Sequence, residues 1–359
     1  MKSLIFGYGQ TGKSFEKYLK NKNIAFDIYD DDINKLPEAH QLKDISPSFN
    51  SLKKYQDIYI SPGIKLQNYL SKDEITNLKP KSDLDIFFLE DNSFKIGITG
   101  TNGKSTLVHF LEQALNHSSS AIALGNIGNP VLENLNHQKK YSVIEASSYQ
   151  LEKMESNLFD LAIITNIEHD HIKFHETFKR YKEAKLKICR DQMKTILCDG
   201  HDYENIAKRI AKDLEPNSNY DDLKLSLLPH RLEKFAGRFI DDSKSTNSSS
   251  LKHAISKLEF SGVLIVCGDP DKECLDEIII KGPKKVYIFG NHRKNLLKII
   301  NHENIKDFAT LDEVLKDLKD SNDSSKILFS PGNPSGKDFQ NFSERGQYFK
   351  NKVLKYFCE

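Results

Sequence analysis

The chain has 359 residues, 52 Lys and Arg against 51 Asp and Glu, a net charge of +1, and 38% hydrophobic with 29% charged residues. That length exceeds one ordinary core and implies two or three domains of roughly 100 to 200 residues each. The balanced charge lacks the one-signed field that nucleic acid or a membrane surface would favour, so small molecules are the expected partners.

The opening "MKSLIFGYGQTGKS" is an apolar strand-like run that stops at Gly7, and glycines 7, 9 and 12 fit G-x-G-x-x-G. A second run, "IAFDIYDDD", ends in Asp30, Asp31 and Asp32, the acidic residues that a dinucleotide fingerprint asks for about twenty positions on. Up to about residue 90, short apolar runs ("SLIF", "FDIY", "DIYI", "DIFFLE") alternate with helix-like stretches, the rhythm of βα units around a parallel sheet. A second block opens with "FKIGITGTNGKST" and continues through "LVHFLEQALNH", "YSVIEAS", "FDLAIITN" and a helix starting near Thr177. The third begins near "LLPHR" and carries strand candidates in "RFIDDSKS", "GVLIVCGD", "KKVYIFG" and "SKILFSPG", with a helix in "TLDEVLKDLKD". The expectation is an α/β protein of three domains in series: Rossmann-like over 1–90, P-loop ATPase-type over 91–228, and Rossmann-like over 229–359.

Within the second block, "GITGTNGKST" follows a strand and precedes an amphipathic helix, the context of a phosphate loop. Backbone N–H groups of such a turn point at phosphate oxygens, Lys104 reaches the terminal phosphates, and the Ser105 hydroxyl can ligate Mg²⁺. The strict pattern places its first glycine at 98, where Ile98 stands; the glycines here are Gly97, Gly100 and Gly103. ATP or GTP binding therefore competes with the nicotinamide reading of the opening. In open α/β sheets the carboxyl ends of strands surround the ligand, so Glu145 and the Asp170/His171 pair are expected to face the nucleotide and its metal. His169, His171 and His175 also have a spacing open to zinc, although a carboxylate, a hydroxyl and one imidazole beside a nucleotide suit Mg²⁺.

Five cysteines, at 189, 198, 267, 274 and 358, form no C-x-x-C and read as packing or surface thiols in a reducing compartment. The first apolar run is too short for a signal peptide, and no stretch approaches the roughly 18 apolar residues of a membrane span. The expected location is the cytoplasm, with no membrane insertion and no nucleic acid.

Several stretches in order, "GITGTNGKST", "GNIGNP", "EASSYQLE", "NIEHDH", "YKEAK", "LPHR", "DDSKSTN", "CGDPDK" and "SPGNPSGKDFQNFSERG", together resemble the Mur ligase family of peptidoglycan synthesis over nearly the whole chain. "DSKSTN" and the N-terminal G-x-G-x-T-G resemble the member that adds D-glutamate to UDP-N-acetylmuramoyl-L-alanine. The resemblance implies an ATP-dependent amide ligase acting through an acyl phosphate, working as a monomer. It assigns ATP to Gly100, Thr101, Asn102, Gly103, Lys104, Ser105, Thr106, Asn205, Arg231 and Asp242. Two Mg²⁺ ions fall to Ser105, Glu145, His171 and Lys185, with Lys104, His171 and Lys185 as the catalytic residues.

Lys185 needs a chemical change to serve, because an ammonium has no lone pair for a metal. In the family this lysine carries a CO₂-derived carbamate, an anionic oxygen ligand. The UDP-sugar is assigned to Gln10, Thr11, Gly12, Asp30, Ser61, Gly63, Asn126 and Ser147, so the opening glycine turn serves a UDP diphosphate in place of a nicotinamide cofactor. D-glutamate is assigned to Lys244, Thr246, Lys272, Ser335 and Phe342.

Three departures from the family pattern stand out. Asp202 replaces an asparagine beside Asn205, "PGNPSG" replaces a "PACAS"-like stretch around Ser335, and only fifteen residues separate Lys185 from His201. A peripheral part of the central domain is expected to be missing.

Overall fold

The computed structural model describes residues 2–38, 47–270, 277–321 and 323–358. The chain divides into two compact units, Met1–Ser226 and Leu227–Glu359.

The first unit carries two parallel sheets. Strands β1 (Ser3–Phe6), β2 (Phe26–Tyr29) and β3 (Ile58–Ile60) form a three-stranded sheet in the order β2-β1-β3. Helix α1 (Gln10–Asn21) crosses from β1 to β2, burying Phe15 and Leu19 on its inner face. Strands β4 (Phe94–Thr99), β5 (Ala121–Gly125), β6 (Tyr141–Glu145), β7 (Leu161–Ile164) and β8 (Lys194–Leu197) form the second sheet in the order β5-β6-β4-β7-β8. Parallel strands buried on both faces read as continuous apolar runs, as "FKIGIT" and "LAII" do.

The run "DIFFLE", expected as a strand, is instead part of helix α2 (Asp83–Glu90). Ser82 and Asp85 cap it reciprocally, and Leu84, Ile86, Phe87 and Phe88 are all buried. A short helix covered on several sides loses the amphipathic stripe and mimics a buried strand in sequence. Its burial has a clear cause: Ile5 and Phe15 from the first sheet, Leu84 and Phe87 from α2, and Ile144, Leu151 and Phe159 from the second sheet share one continuous core. The two sheets therefore lie within one compact unit.

Helices α3 (Lys104–Ser118), α4 (Ser148–Lys153), α5 (Ile172–His175), α6 (Phe178–Leu186) and α7 (Tyr203–Leu214) also belong to this unit, as do two further short helices at Phe49–Leu52 and Lys72–Leu78. Between Lys185 and His201 the chain holds only the end of α6 and the edge strand β8, which pairs with β7 from Leu161↔Lys194 to Ile164↔Leu197.

In the second unit, β9 (Glu233–Phe235), β10 (Phe239–Asp241), β11 (Val263–Val266), β13 (Lys285–Phe289), β15 (Ile305–Phe308) and β16 (Ile327–Phe329) form a six-stranded sheet, ordered β15-β13-β11-β16-β10-β9. Only β9 runs antiparallel within it. A small parallel pair, β12 (Ile278–Ile279) with β14 (Ile300–Asn301), lies apart from it. Helices α8 (Ser248–Lys257), α9 (Arg293–Ile299), α10 (Leu311–Asp320) and α11 (Phe342–Phe357) accompany the sheet, and two apolar clusters fill its sides. Among the described residues, no helix is long and apolar enough to cross a membrane.

Candidate functional site

At the end of β1 the backbone turns through Gly7 (φ 92°) into α1. A Cβ on Gly12 would sit 2.2 Å from the Gly7 carbonyl oxygen, so glycine at 12 lets the helix close onto the strand end. Asp30 fastens the same turn, its carboxylate accepting from the N–H groups of Tyr8 (2.7 Å) and Asp32 (3.0 Å). Burial works against the Asp30 charge, but these N–H groups and Lys35 outweigh it and hold the carboxyl below its usual range. The Ser61 hydroxyl donates to the Gly7 carbonyl at 2.7 Å.

A cavity of about 550 Å³ opens over this turn. Gln10, Thr11, Asp30, Ser61, Gly63, Asn126 and Ser147 all line it, although they come from five separate stretches of chain. Gly12 does not line it; its part is the close packing beneath. Ser61 and Ser147 contribute less freely than their sequence suggests. The first spends its proton on Gly7, and the second caps α4, accepting from the Gln150 N–H and donating to Gln150 Oε1 at 3.1 Å.

The phosphate loop follows β4 at the centre of the five-stranded sheet. Gly97 lies inside the strand against Phe159, so the loop proper has two glycines, Gly100 and Gly103. Gly103 has φ 82°, and a Cβ there would meet the Tyr203 ring at 2.2 Å. Lys104 Nζ donates to the carbonyls of Gly100 and Thr101, each at 2.9 Å, and Thr101, Asn102 and Gly103 lead into α3, which holds Ser105 and Thr106 in its first turn. Glu145 ends the neighbouring strand β6. It is buried, Asn126 Nδ2 donates to its Oε1 at 3.2 Å, and its Oε2 has no partner. A buried carboxylate oxygen without a donor is the acceptor a hard cation needs, so the residues present suit Mg²⁺.

Lys185 lies near the end of α6, whose first turn is capped by Thr177. It is 1% exposed, donates to the Gly100 carbonyl at 2.6 Å, and is pushed down to about 6 by burial and then by the Lys104 ammonium. At neutral pH its amine is largely uncharged. His171 sits in the left-handed region (φ 53°) with its N–H on Asp170. Desolvation lowers its pKa, with Lys104 and Lys185 adding to the effect, which favours the neutral imidazole that can ligate.

The three histidines open to zinc go different ways. His169 stacks on Phe178 at 4.2 Å, while His175 is buried with Nε2 2.9 Å from Ser148 Oγ. Among the described residues, the tight grouping of ligating side chains is His230, Glu233 and Asp241. There Lys350 Nζ already lies 2.5 Å from Glu233.

Asn205 lies in the first turn of α7, where its amide donates to Asp202 Oδ2 at 2.6 Å. Asp202 is the N-cap, so the departure from asparagine has a structural role.

In the second unit Arg231 pairs with Asp242 at 3.6 Å. Asp242 is fully buried and pushed up to about 6 by burial, against the pull of Arg231 and of the Ser330 hydroxyl. Lys244 Nζ lies 4.1 Å from the Phe342 ring centre, and Thr246 and Ser335 are half-buried in loops of the same unit. Buried Arg345, which sequence reading passed over, donates to the carbonyls of Ser243 (2.8 Å) and Asn333 (3.0 Å) and so braces both loops. Lys272 lies outside the described residues. Sequence reading also missed Asp83, Tyr149 and Gln150, which line the cavity. The signals for all three were the reciprocal caps Ser82/Asp85 and Ser147/Gln150, which mark the starts of the helices that carry them.

Residues 98–262 match the Mur ligase middle domain. The chain is 30% identical to UDP-N-acetylmuramoylalanine--D-glutamate ligase of Buchnera aphidicola subsp. Schizaphis graminum, covering 97% of this chain and 96% of that protein. It is 28% identical to the protein of the same name from Francisella philomiragia, covering 98% and 96%. The first alignment runs over 424 positions against 359 residues here, so that relative has segments this chain lacks.

In fold, the chain is similar to a MurF ligase from Thermotoga maritima in complex with ADP, with TM-score 0.58 and 14% identity over 85% of this chain and 89% of that one. It is also similar to a pseudomurein peptide ligase type C from Methanothermus fervidus, with TM-score 0.55 and 14% identity over 99% and 100%. The chain therefore belongs to the Mur ligase family, as an ATP-dependent UDP-N-acetylmuramoylalanine--D-glutamate ligase of peptidoglycan synthesis.

Proposed function

We propose that the ligation runs through the residues described above, in a cytoplasmic monomer of three domains in series. A terminal carboxylate of UDP-N-acetylmuramoyl-L-alanine attacks the γ-phosphorus of ATP, releasing ADP and forming an acyl phosphate. The amine of D-glutamate then attacks the acyl carbon; the tetrahedral intermediate collapses, expels phosphate and leaves an amide.

Phosphoryl transfer of this kind depends on positioning and charge neutralisation more than on covalent help. Residues 100–106 cradle the phosphates with backbone N–H groups, and Lys104 swings from its carbonyl partners to the transferring phosphoryl group. Ser105, Glu145, His171 and modified Lys185 are the Mg²⁺ donors. When bound, Mg²⁺ offsets the negative charge that phosphates and carboxylate bring together.

Lys185 is suited to carbamylation because its amine is largely neutral. The nitrogen lone pair bonds to the carbon of CO₂, one C=O pair moves to oxygen, and the amine loses a proton. The product is an anion beside Lys104, so the neutral amine that the Lys104 ammonium kept from charging becomes a group that the ammonium attracts.

Asn205, Arg231 and Asp242 serve the remaining ATP contacts, Arg for phosphate and Asp for ribose hydroxyls. Lys244, Thr246, Ser335 and Phe342, with Lys272, serve D-glutamate. The UDP-sugar occupies the cavity over the glycine turn, its diphosphate on Gln10, Thr11 and the head of α1. The observation that carries this reading is the cavity, which joins the turn after β1 to Asn126 and Ser147 beside the buried, unpartnered carboxylate oxygen of Glu145.

Phosphate release from ATP tests it. Release that requires both UDP-N-acetylmuramoyl-L-alanine and D-glutamate is the expected result. Release with L-lysine or diaminopimelate in place of D-glutamate rejects the amino-acid assignment.

A further inference from the structure

The wall of the same cavity holds a carboxylate that none of the roles above uses. Asp83 is the first residue of α2 and lines the cavity, yet it is only 3% exposed. One oxygen, Oδ2, accepts from Gln150 Nε2 at 2.9 Å; the other, Oδ1, has no hydrogen-bond partner. Buried polar atoms are paired in nearly every folded protein, and an unpaired carboxylate oxygen is costly. Burial pushes the Asp83 carboxyl up to about 6, although Gln150 and the N–H groups at the head of α2 pull it back. The fold thus holds a destabilising group in a fixed place.

That place is rigid. Asp85, two residues on, accepts from the N–H groups of Glu155 and Ser156 at 3.0 and 3.1 Å, tying α2 to the end of α4. Gln150 turns its amide N–H to Asp83 and its carbonyl oxygen to Ser147, so the three side chains form one chain of hydrogen bonds along the wall. Asp30 and the glycine turn line the same cavity. With the uracil and diphosphate placed at that turn, the sugar and its lactyl-alanyl arm fall to Asn126, Ser147 and Asp83.

We propose that Asp83 is a substrate-binding residue whose free Oδ1 accepts a hydrogen bond from an O–H or N–H on the sugar and alanyl half of the UDP-sugar. Gln150 is its positioning partner. This rests on the assignment of the cavity to the UDP-sugar. The pair also confers selectivity, because a ligand without a donor at that point leaves the carboxylate buried and unpaired.

Asp83→Asn separates binding from structure. The asparagine keeps the shape and an acceptor for Gln150 but removes the charge and the free acceptor, and Asp83→Ala removes both. Calorimetric titration of wild type and both variants with UDP, and separately with UDP-N-acetylmuramoyl-L-alanine, reads the difference. UDP binding is expected to be unchanged, and the complete substrate about tenfold or more weaker in both variants. Its KM should rise in step, the KM for ATP should hold, and the Tm of Asp83→Asn should equal or exceed that of wild type.

Equal affinity for the complete substrate in wild type and both variants overturns the role of Asp83 alone. So does a loss of UDP and substrate binding together with a lowered Tm in Asp83→Asn, which marks a structural residue. A wild-type protein that fails to bind UDP-N-acetylmuramoyl-L-alanine overturns the cavity assignment, and this inference with it.

Discussion

Lys104 and Lys185 donate to the same oxygen, the carbonyl of Gly100, at 2.9 and 2.6 Å. They are 81 residues apart in sequence and their charges oppose each other, which helps keep the buried Lys185 amine neutral. Only one of them can be a cation at low cost, and the chemistry needs that one to be Lys104.

From this follows the first prediction. Lys185→Ala and Lys185→Arg should each lower turnover by at least about 10²-fold, since neither residue can become an anionic ligand. Added formate or chloride should partly restore the alanine variant and leave the arginine variant inactive. Phosphate-release rates decide it, and full activity in Lys185→Ala removes the carbamate from the mechanism.

Gly12→Ala tests the floor of the cavity. The new methyl group meets the Gly7 carbonyl at 2.2 Å, so α1 must move away from β1. The expected cost is about 1–3 kcal/mol of stability. The KM for the UDP-sugar should rise while that for ATP holds. A variant with wild-type Tm and KM would show that the helix head does not need this close approach.

Asp83 makes stability depend on pH in a definite direction. Its carboxyl is raised from 3.8 to about 6 in the fold, by burial and with a smaller contribution from the Asp85 charge. The folded chain therefore binds this proton more tightly than the unfolded one, and the stability so gained is present below about pH 4 and lost as pH rises through 6. Asp83→Asn does not titrate, so its stability relative to wild type should increase between pH 4 and 7.5, by up to about 3 kcal/mol. Urea unfolding of both proteins across that range checks the sign; parallel curves contradict it.

Asp202 holds the Asn205 amide and caps α7 at once. Asparagine caps a helix about as well as aspartate. Asp202→Asn should therefore leave Tm unchanged and weaken the grip on Asn205, lowering the KM for ATP by a factor of a few. An unchanged KM would remove Asn205 from the ATP contacts.

Much of the site was readable because its parts are local. The phosphate loop announces itself within ten residues, and the glycine turn within six, because backbone geometry there demands glycine and a helix head. Lys185 was readable only through family resemblance, since nothing in a lysine-rich helix distinguishes a buried lysine from an exposed one. "DIFFLE" misled because α2 buries three successive residues, Ile86, Phe87 and Phe88, and burial on several sides blurs the periodicity that separates helix from strand. Gly97 looked like part of the loop but packs inside β4 against Phe159.

What the sequence determined by itself is the kind of chemistry: a nucleotide loop, a second phosphate-binding turn, and oxygen and nitrogen donors spaced at strand ends. Tertiary structure decided which groups are free to act. It spent the Ser61 proton on Gly7, sent His175 to Ser148, set Lys185 beside Lys104, and left one oxygen each of Glu145 and Asp83 without a partner. The physical reason is the same in each case. Hydrogen bonding and burial, which set a group's charge and availability, come from neighbours tens of residues away, and no local pattern encodes who those neighbours are.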